Sequence, residues 1–230
     1  MSLEHSYLDG KLRVLGGYEF AYLNVNPFGG NSRLQKDFQS GGIVGVGGMR
    51  ISMLQAGLIY DTRDLEPDPS HGVFAEITDE LSANAFGSKF NFNKTFAQVK
   101  VYEKLLPGVF KRMVFAGRLG MGYTAGDAPF FEYQDEWSSE GSIEGLGGPT
   151  TLRGYKQSRF LGRVMDFSNI ELRTRFAHFD IFKQNIALSA VPFFDIGGVW
   201  DSFSTLYQFQ NYRYDEGLGL RNSISFSPLN

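Results

Sequence analysis

The sequence predicts an all-β protein, an antiparallel transmembrane β-barrel with about eight strands present and one long loop between the fifth and sixth. Three observations predict it. Apolar residues recur at every second position in eight separate segments, the period of a strand with one apolar face. No segment keeps a helical period. The connections alternate between short and long, as in outer-membrane barrels with tight turns at one end and larger loops at the other.

Composition agrees with this class. A chain of 230 residues is within the range of one all-β domain. Its 28 glycines, 22 phenylalanines and 11 tyrosines suit a sheet that bends tightly and faces something apolar; glycine stands well above the usual ~7%. A net charge of −3 gives no basic field for nucleic acid. The lack of cysteine excludes disulfides and thiolate metal sites. No apolar run approaches the ~18 residues of a membrane-spanning helix, so any crossing falls to strands. The mean hydropathy of −0.21 fits strands whose second face is polar. Residues 1–6 lack the basic and apolar regions of a secretory signal. Residues 1–11, ahead of the first strand pattern, are read as leader residues and 12–230 as the barrel domain.

The first strand sets Leu12, Val14, Tyr18, Phe20 and Tyr22 against Arg13, Glu19 and Ala21. After a glycine-rich loop from Pro27 to Gly48, Leu54, Ala56, Leu58 and Tyr60 alternate with Gln55, Gly57 and Asp61. Pro67, Pro69 and Gly72 then form a turn. The third strand places Val73, Ala75, Ile77 and Leu81 opposite Glu76, Thr78 and Glu80. In the fourth, Ala97, Val99 and Val101 point outward and Gln98 and Lys100 inward. The fifth carries Met113, Phe115, Leu119, Met121 and Tyr123 on one face, with Ala116, Arg118, Gly120 and Gly122 on the other. The sixth alternates Ile170, Leu172 and Phe176 with Asn169, Glu171, Arg173 and Arg175. The seventh sets Ile186, Leu188, Ala190, Pro192, Phe194 and Ile196 against Ser189, Phe193, Asp195 and Gly197. The eighth sets Leu218, Leu220, Ile224 and Phe226 against Gly217, Gly219, Arg221, Ser223 and Ser225.

One parity thus collects Glu19, Glu76, Arg118, Glu171, Arg173, Asp195 and Arg221. Periodicity leaves open whether this face is a wet lumen or a solvated surface, as in a soluble ligand-binding barrel. In a bilayer only one phase is tolerable, because an arginine aimed at the midplane costs ~2–4 kcal/mol. Tyr18, Tyr22, Tyr60 and Tyr123 lie on the apolar parity, where an interfacial girdle would place them.

The longest stretch without strand pattern, from Ala125 to Arg163, opens with Asp127, Glu132, Asp135, Glu136 and Glu140 and passes Gly145-Leu146-Gly147-Gly148 before Leu152-Arg153-Gly154-Tyr155. Loops of this length are usually functional or disordered. A mobile acidic loop is one reading, and a device that places one guanidinium is the other.

These motifs together resemble the bacterial surface antigen (Omp-eighty-five) superfamily of outer-membrane barrels. The glycine cluster and Leu152-Arg153-Gly154-Tyr155 resemble its loop signature. Tyr60-Asp61-Thr62-Arg63-Asp64 resembles the preceding strand-turn-strand, Asn169-Ile170-Glu171-Leu172-Arg173 the following strand, and Phe193-Phe194-Asp195-Ile196-Gly197 the family's Phe-x-Asp-x-Gly strand. The resemblance implies a loop folded into the lumen, with Arg153 reaching Asp195 or Glu171 on a wall that also includes Phe193 and Gly197, Gly154 adopting a backbone shape closed to other residues, and Tyr155 packing on that wall. A guanidinium suits the task because it stays charged and binds a carboxylate through two parallel hydrogen bonds. It also implies a place in the bacterial outer membrane and a role in inserting or translocating proteins. The partners implied are outer-membrane lipids, client outer-membrane or secreted proteins and periplasmic accessory modules; a passive pore or an anchor for a passenger domain is the alternative. The eight strands correspond to a middle-to-late block of the family's sixteen-stranded barrel, ending about two strands early with a turn at Pro228-Leu229-Asn230. Eight strands closed on themselves would leave no room for the loop, so the chain is read as part of a larger ring.

No catalytic constellation accompanies these features. His5, His71 and His178 are scattered without metal-ligand spacing, no nucleophile motif is present, and Gly145 to Gly148 precedes no helix that could cradle phosphate. Neither cofactor nor metal is expected.

Overall fold

The computed structural model describes residues 2–26, 32–41, 43–110, 112–181, 184–206 and 208–226. They form one antiparallel meander of nine strands in sequence order: β1 (Ser2–Tyr7), β2 (Leu12–Val25), β3 (Gly47–Asp61), β4 (Gly72–Ser82), β5 (Phe92–Lys104), β6 (Met113–Gly126), β7 (Val164–Ile181), β8 (Gln184–Trp200) and β9 (Arg213–Phe226). Eight were expected. The additional strand comes from the residues read as leader: Ser2 to Tyr7 pair with Gly17 to Leu12 of β2. Its alternation of Leu3, His5 and Tyr7 is too short to register as a period. β1 and β9 are the outer strands of the sheet order and do not pair with one another, so the loop faces an open sheet and not the filled interior of a small ring.

The strand phases agree with the alternation. Val14, Tyr22, Leu54, Leu58, Ile77, Leu81, Val99, Val101, Leu119, Leu218 and Leu220 are exposed on the outer face. Gln55, Glu76, Thr78, Glu80, Lys94, Gln98 and Asp195 are buried on the inner one. A soluble sandwich would bury the first set; here the apolar set forms the outside, as a lipid-facing wall requires. Tyr60 at the turn end and Tyr22, Tyr123 and Tyr214 at the loop end mark the two rims. Tyr18 lies between them and meets its hydroxyl partner within the wall, Ser52 Oγ at 2.8 Å.

The connections 8–11, 62–71, that between β5 and β6 and that between β7 and β8 gather at one end, and the other end holds 83–91 and the three longest, between β2 and β3, β6 and β7, and β8 and β9. Two differ from the sequence reading. The Pro27–Gly48 loop contains α1 (Arg33–Gln39), capped by Ser32, whose hydroxyl accepts from the Gln35 amide at 3.2 Å. β3 begins at Gly47, seven residues before its first apolar-out residue, because Met49, Ile51 and Met53 are apolar on the inner parity and hide the alternation. The Pro228–Asn230 turn, and the sides on which Ile224 and Phe226 point, lie outside the described residues and side chains.

The apolar core lies between the sheet's inner face and the long loop, which spans 127–163. Ala128, Phe131 and Tyr133 pack on Met49, Ile51, Met53, Phe90 and Phe92. Ile143, Leu146 and Leu152 pack on Phe96, Met165 and Phe167. Trp137 covers Ile59 and Phe74. The loop therefore supplies what the meander cannot make alone, a second layer against which its inner face is dry.

Candidate functional site: the loop docked on the inner wall

The motif sits at the tip of a compact turn. Thr151 Oγ1 accepts from the Gly147 amide at 2.8 Å, and the Gly148 amide donates to the carbonyls of Leu152 at 3.0 Å and Tyr155 at 3.1 Å. Gly147 holds φ +111°, where a side chain would be strained, and an added Cβ would lie 2.4 Å from the Lys156 carbonyl oxygen. This turn presses Leu152, 0% exposed, into the apolar cluster and turns its neighbour toward the strands.

Arg153 lies along the inner wall. Nε and Nη2 donate to Asp195 Oδ2 and Oδ1 at 2.7 and 2.6 Å, the two-pronged geometry that a guanidinium offers a carboxylate. The Arg153 backbone amide adds a bond to Oδ2 at 3.2 Å. Nη1 reaches Glu171 Oε1 at 2.5 Å, and the guanidinium carbon stands 3.8 Å above the Phe193 ring. Glu171 is shared with Arg173 at 2.8 Å. Asp195, 0% exposed, also accepts from Asn169 Nδ2 at 2.8 Å, and Asn169 donates to the Thr151 carbonyl at 2.6 Å. Burial disfavours the Arg153 charge, but its bonds to Asp195 and Glu171 outweigh that and raise its pKa.

The glycines serve close approach. Gly154 is outside the positive-φ region, so the backbone shape expected of it is corrected: an added Cβ would meet Asp215 Cβ at 2.8 Å. A Cβ on Gly197 would meet the Asp166 carbonyl at 2.6 Å and Leu146 Cδ1 at 2.8 Å. Tyr155 packs edge-on against Phe160 of its own loop at 5.3 Å and sends its hydroxyl toward the Tyr214 carbonyl at 3.4 Å, so it meets both loop and wall.

Sequence reasoning missed that the acidic opening of the loop is docked as well. Glu132 pairs with Lys94 at 3.3 Å, and Lys94 also meets Glu80 at 3.2 Å. Glu140 bridges Arg63, at 2.6 Å, and Lys100. Glu76 accepts from Ser138 Oγ at 2.5 Å and from Ser139 N and Oγ at 3.0 and 2.6 Å. Thr78 donates to the Trp137 carbonyl at 2.7 Å, and Arg118 to the Thr150 carbonyl at 2.7 Å. The available signal was the inward parity of Glu76, Thr78 and Lys100 facing a loop rich in acids and serines. Glu136 stands against the wall at Gly122, where a Cβ would touch its Oε1 at 2.6 Å. Its Oε2 is buried without a partner, and burial pushes its carboxyl up to about 8, against the pull of Lys94.

The arrangement is a clamp built from ion pairs and packing. Among the described residues no group of His, Asp or Glu has the geometry of a metal site.

The family model of the Omp85 superfamily domain matches residues 11–230. The outer membrane protein assembly factor BamA of Nitratidesulfovibrio vulgaris is 25% identical over 172 residues, covering 70% of this chain and 20% of that protein. The crystal structure of BamA from Haemophilus ducreyi lacking POTRA domains 1–3 matches with a TM-score of 0.65 at 16% identity, over 95% of this chain and 46% of that one, a likeness of fold. The chain spans about a fifth of the length of the first relative. A family model that runs from residue 11 to residue 230, over an open meander with its apolar face outward, makes this chain a member of the Omp85 superfamily and part of the wall of a bacterial outer-membrane β-barrel.

Proposed function

We propose that the chain is the wall and strut of a factor that inserts barrel proteins into the outer membrane or moves polypeptides across it. Its loop holds the wall in shape, and no chemical step is involved. The observation that carries this reading is the two-pronged Arg153–Asp195 pair, fully buried on its acid side and reached from a loop that begins at residue 127. A passive pore needs no such anchorage. Client proteins, outer-membrane lipids and periplasmic modules are the partners this role requires. In this reading the docked loop fixes the strands of the wall, so that work on a client falls to strands the loop does not hold.

The test is Arg153→Ala in the complete protein. The fraction of a client barrel that reaches its heat-modifiable folded form is measured in membranes together with protease protection of the loop. Slower client insertion with a still-folded barrel is expected. Unaltered insertion alongside an exposed loop would overturn the proposal.

A further inference from the structure

The turn end of the inner wall carries a charge imbalance that the docked loop does not reach. Asp68, in the connection between β3 and β4, faces three guanidiniums. Arg112 Nη1 lies 2.7 Å from its Oδ2, Arg175 Nη2 3.7 Å from the same oxygen, and Arg221 Nη1 3.9 Å from Oδ1. Arg112 also donates to the Asp68 carbonyl at 2.6 Å. The two more distant guanidiniums stand beyond hydrogen-bonding reach of the carboxylate, so its charge meets theirs while their donors stay unused. Arg175 Nε is buried without a partner, an uncommon condition for a polar group in a folded protein. Asp68 is the one acid that pairs with these three arginines among the described residues. The cluster borders a cavity of about 550 Å³ whose lining also includes Leu65 and Ala187.

We propose that this cavity binds a carboxylate side chain of an acidic polypeptide segment that arrives at the turn end of the barrel. Asp68 itself demonstrates the fit: an aspartate on an extended turn already engages Arg112, and Arg175 and Arg221 offer a second carboxylate the forked donors it prefers. The apolar part of the lining accommodates the aliphatic portion of a peptide. Arg175 and Arg221 project from the inner parity of β7 and β9, opposite the exposed Phe176, Leu218 and Leu220, and Arg112 joins them from the connection before β6, so the site faces the interior and a lipid headgroup has no direct route to it. The proposal does not rest on the Arg153 clamp, which sits nearer the loop end, although Arg221 also borders the cavity that Arg153, Glu171 and Arg173 line.

The experiment uses the whole chain in detergent micelles at low ionic strength, with a fluorescein-labelled heptapeptide bearing two aspartates and its asparagine counterpart, read by fluorescence anisotropy. The aspartate peptide is expected to bind about tenfold tighter, a difference of the size that one charge-assisted hydrogen bond supplies. Asp68→Asn, which frees the guanidiniums, should tighten binding, and Arg221→Gln should weaken it by about tenfold. Arg221 is the most exposed of the three, so its loss leaves the wall intact, and it decides the matter even if the Asp68 variant misfolds. Arg153→Ala should leave the affinity unchanged, which separates this site from the loop clamp. Equal binding of the two peptides, an unaltered affinity in Arg221→Gln, or displacement by inorganic phosphate as effective as by unlabelled peptide would overturn the proposal.

Discussion

Removing the Arg153 side chain deletes its three hydrogen bonds to carboxylates and its seat over Phe193. Truncating one partner of a buried ion pair costs about 3–5 kcal/mol, because the other charge is left without compensation. Two features place this site at the lower end. Arg153 keeps 24% of its side chain exposed, and Glu171 retains Arg173. Asp195 remains fully buried with only Asn169 and the Arg153 amide as donors. The expected loss is therefore about 3 kcal/mol of loop docking, or roughly a hundredfold faster amide exchange at Leu152 to Tyr155. Arg153→Lys keeps the charge but not the fork and should recover about half of it. Hydrogen exchange by mass spectrometry on Arg153→Ala, Asp195→Asn and the double variant gives a complete cycle. Coupling of about 2 kcal/mol is expected; additivity within ~0.5 kcal/mol would refute the clamp, since that is how independent sites behave.

Two further outcomes follow from the geometry. The Glu136 carboxyl, pushed up to about 8 when docked from an ordinary value of 4.5, binds its proton more tightly with the loop in place. The contribution of Glu136 to docking is thus fully present below pH 4.5, weakens as pH rises through that window by at most about 1.4 kcal/mol per unit, and levels off above 8. The difference between Trp137 fluorescence titrations of the parent and of a Glu136→Gln variant, both in a Trp200→Phe background, should follow this profile, and identical titrations would contradict it. Leu54→Arg, midway along the exposed face of β3, should cost ~2–4 kcal/mol when folding is titrated in phospholipid vesicles, whereas Val109→Arg in the turn between β5 and β6 should cost less than ~1 kcal/mol. Equal costs would mean that Leu54 does not face lipid.

The wall was legible wherever one parity was apolar and the other polar, as in β4, where Ile77 and Leu81 alternate with Glu76 and Glu80. It became illegible where both parities are apolar: at the start of β3, Met49, Ile51 and Met53 face a loop that no local pattern announces. Strand parity also put Glu171, Phe193 and Asp195 on one face, which is a local property of β7 and β8. The partners of Glu132 and Glu140 and the burial of Glu136 were not readable, because acids in a loop look alike whether they meet water, a dry wall, or Lys94 and Arg63. The reason for Gly154 was misjudged in the same way, since crowding by Asp215 leaves no trace in the neighbouring sequence.

The dry layer contributed by residues 127–163 also governs bending. A flat ribbon of strands has no preferred radius, but Phe131, Trp137 and Leu152 wedge into it at three separate places, each backed by an ion pair or hydrogen bond a few residues away. Together they work as a former that sets the curvature of the strands they touch, from Leu15 of β2 to Asp195 of β8. The bend of this wall is thus dictated from the concave side, by a segment that is not itself a strand.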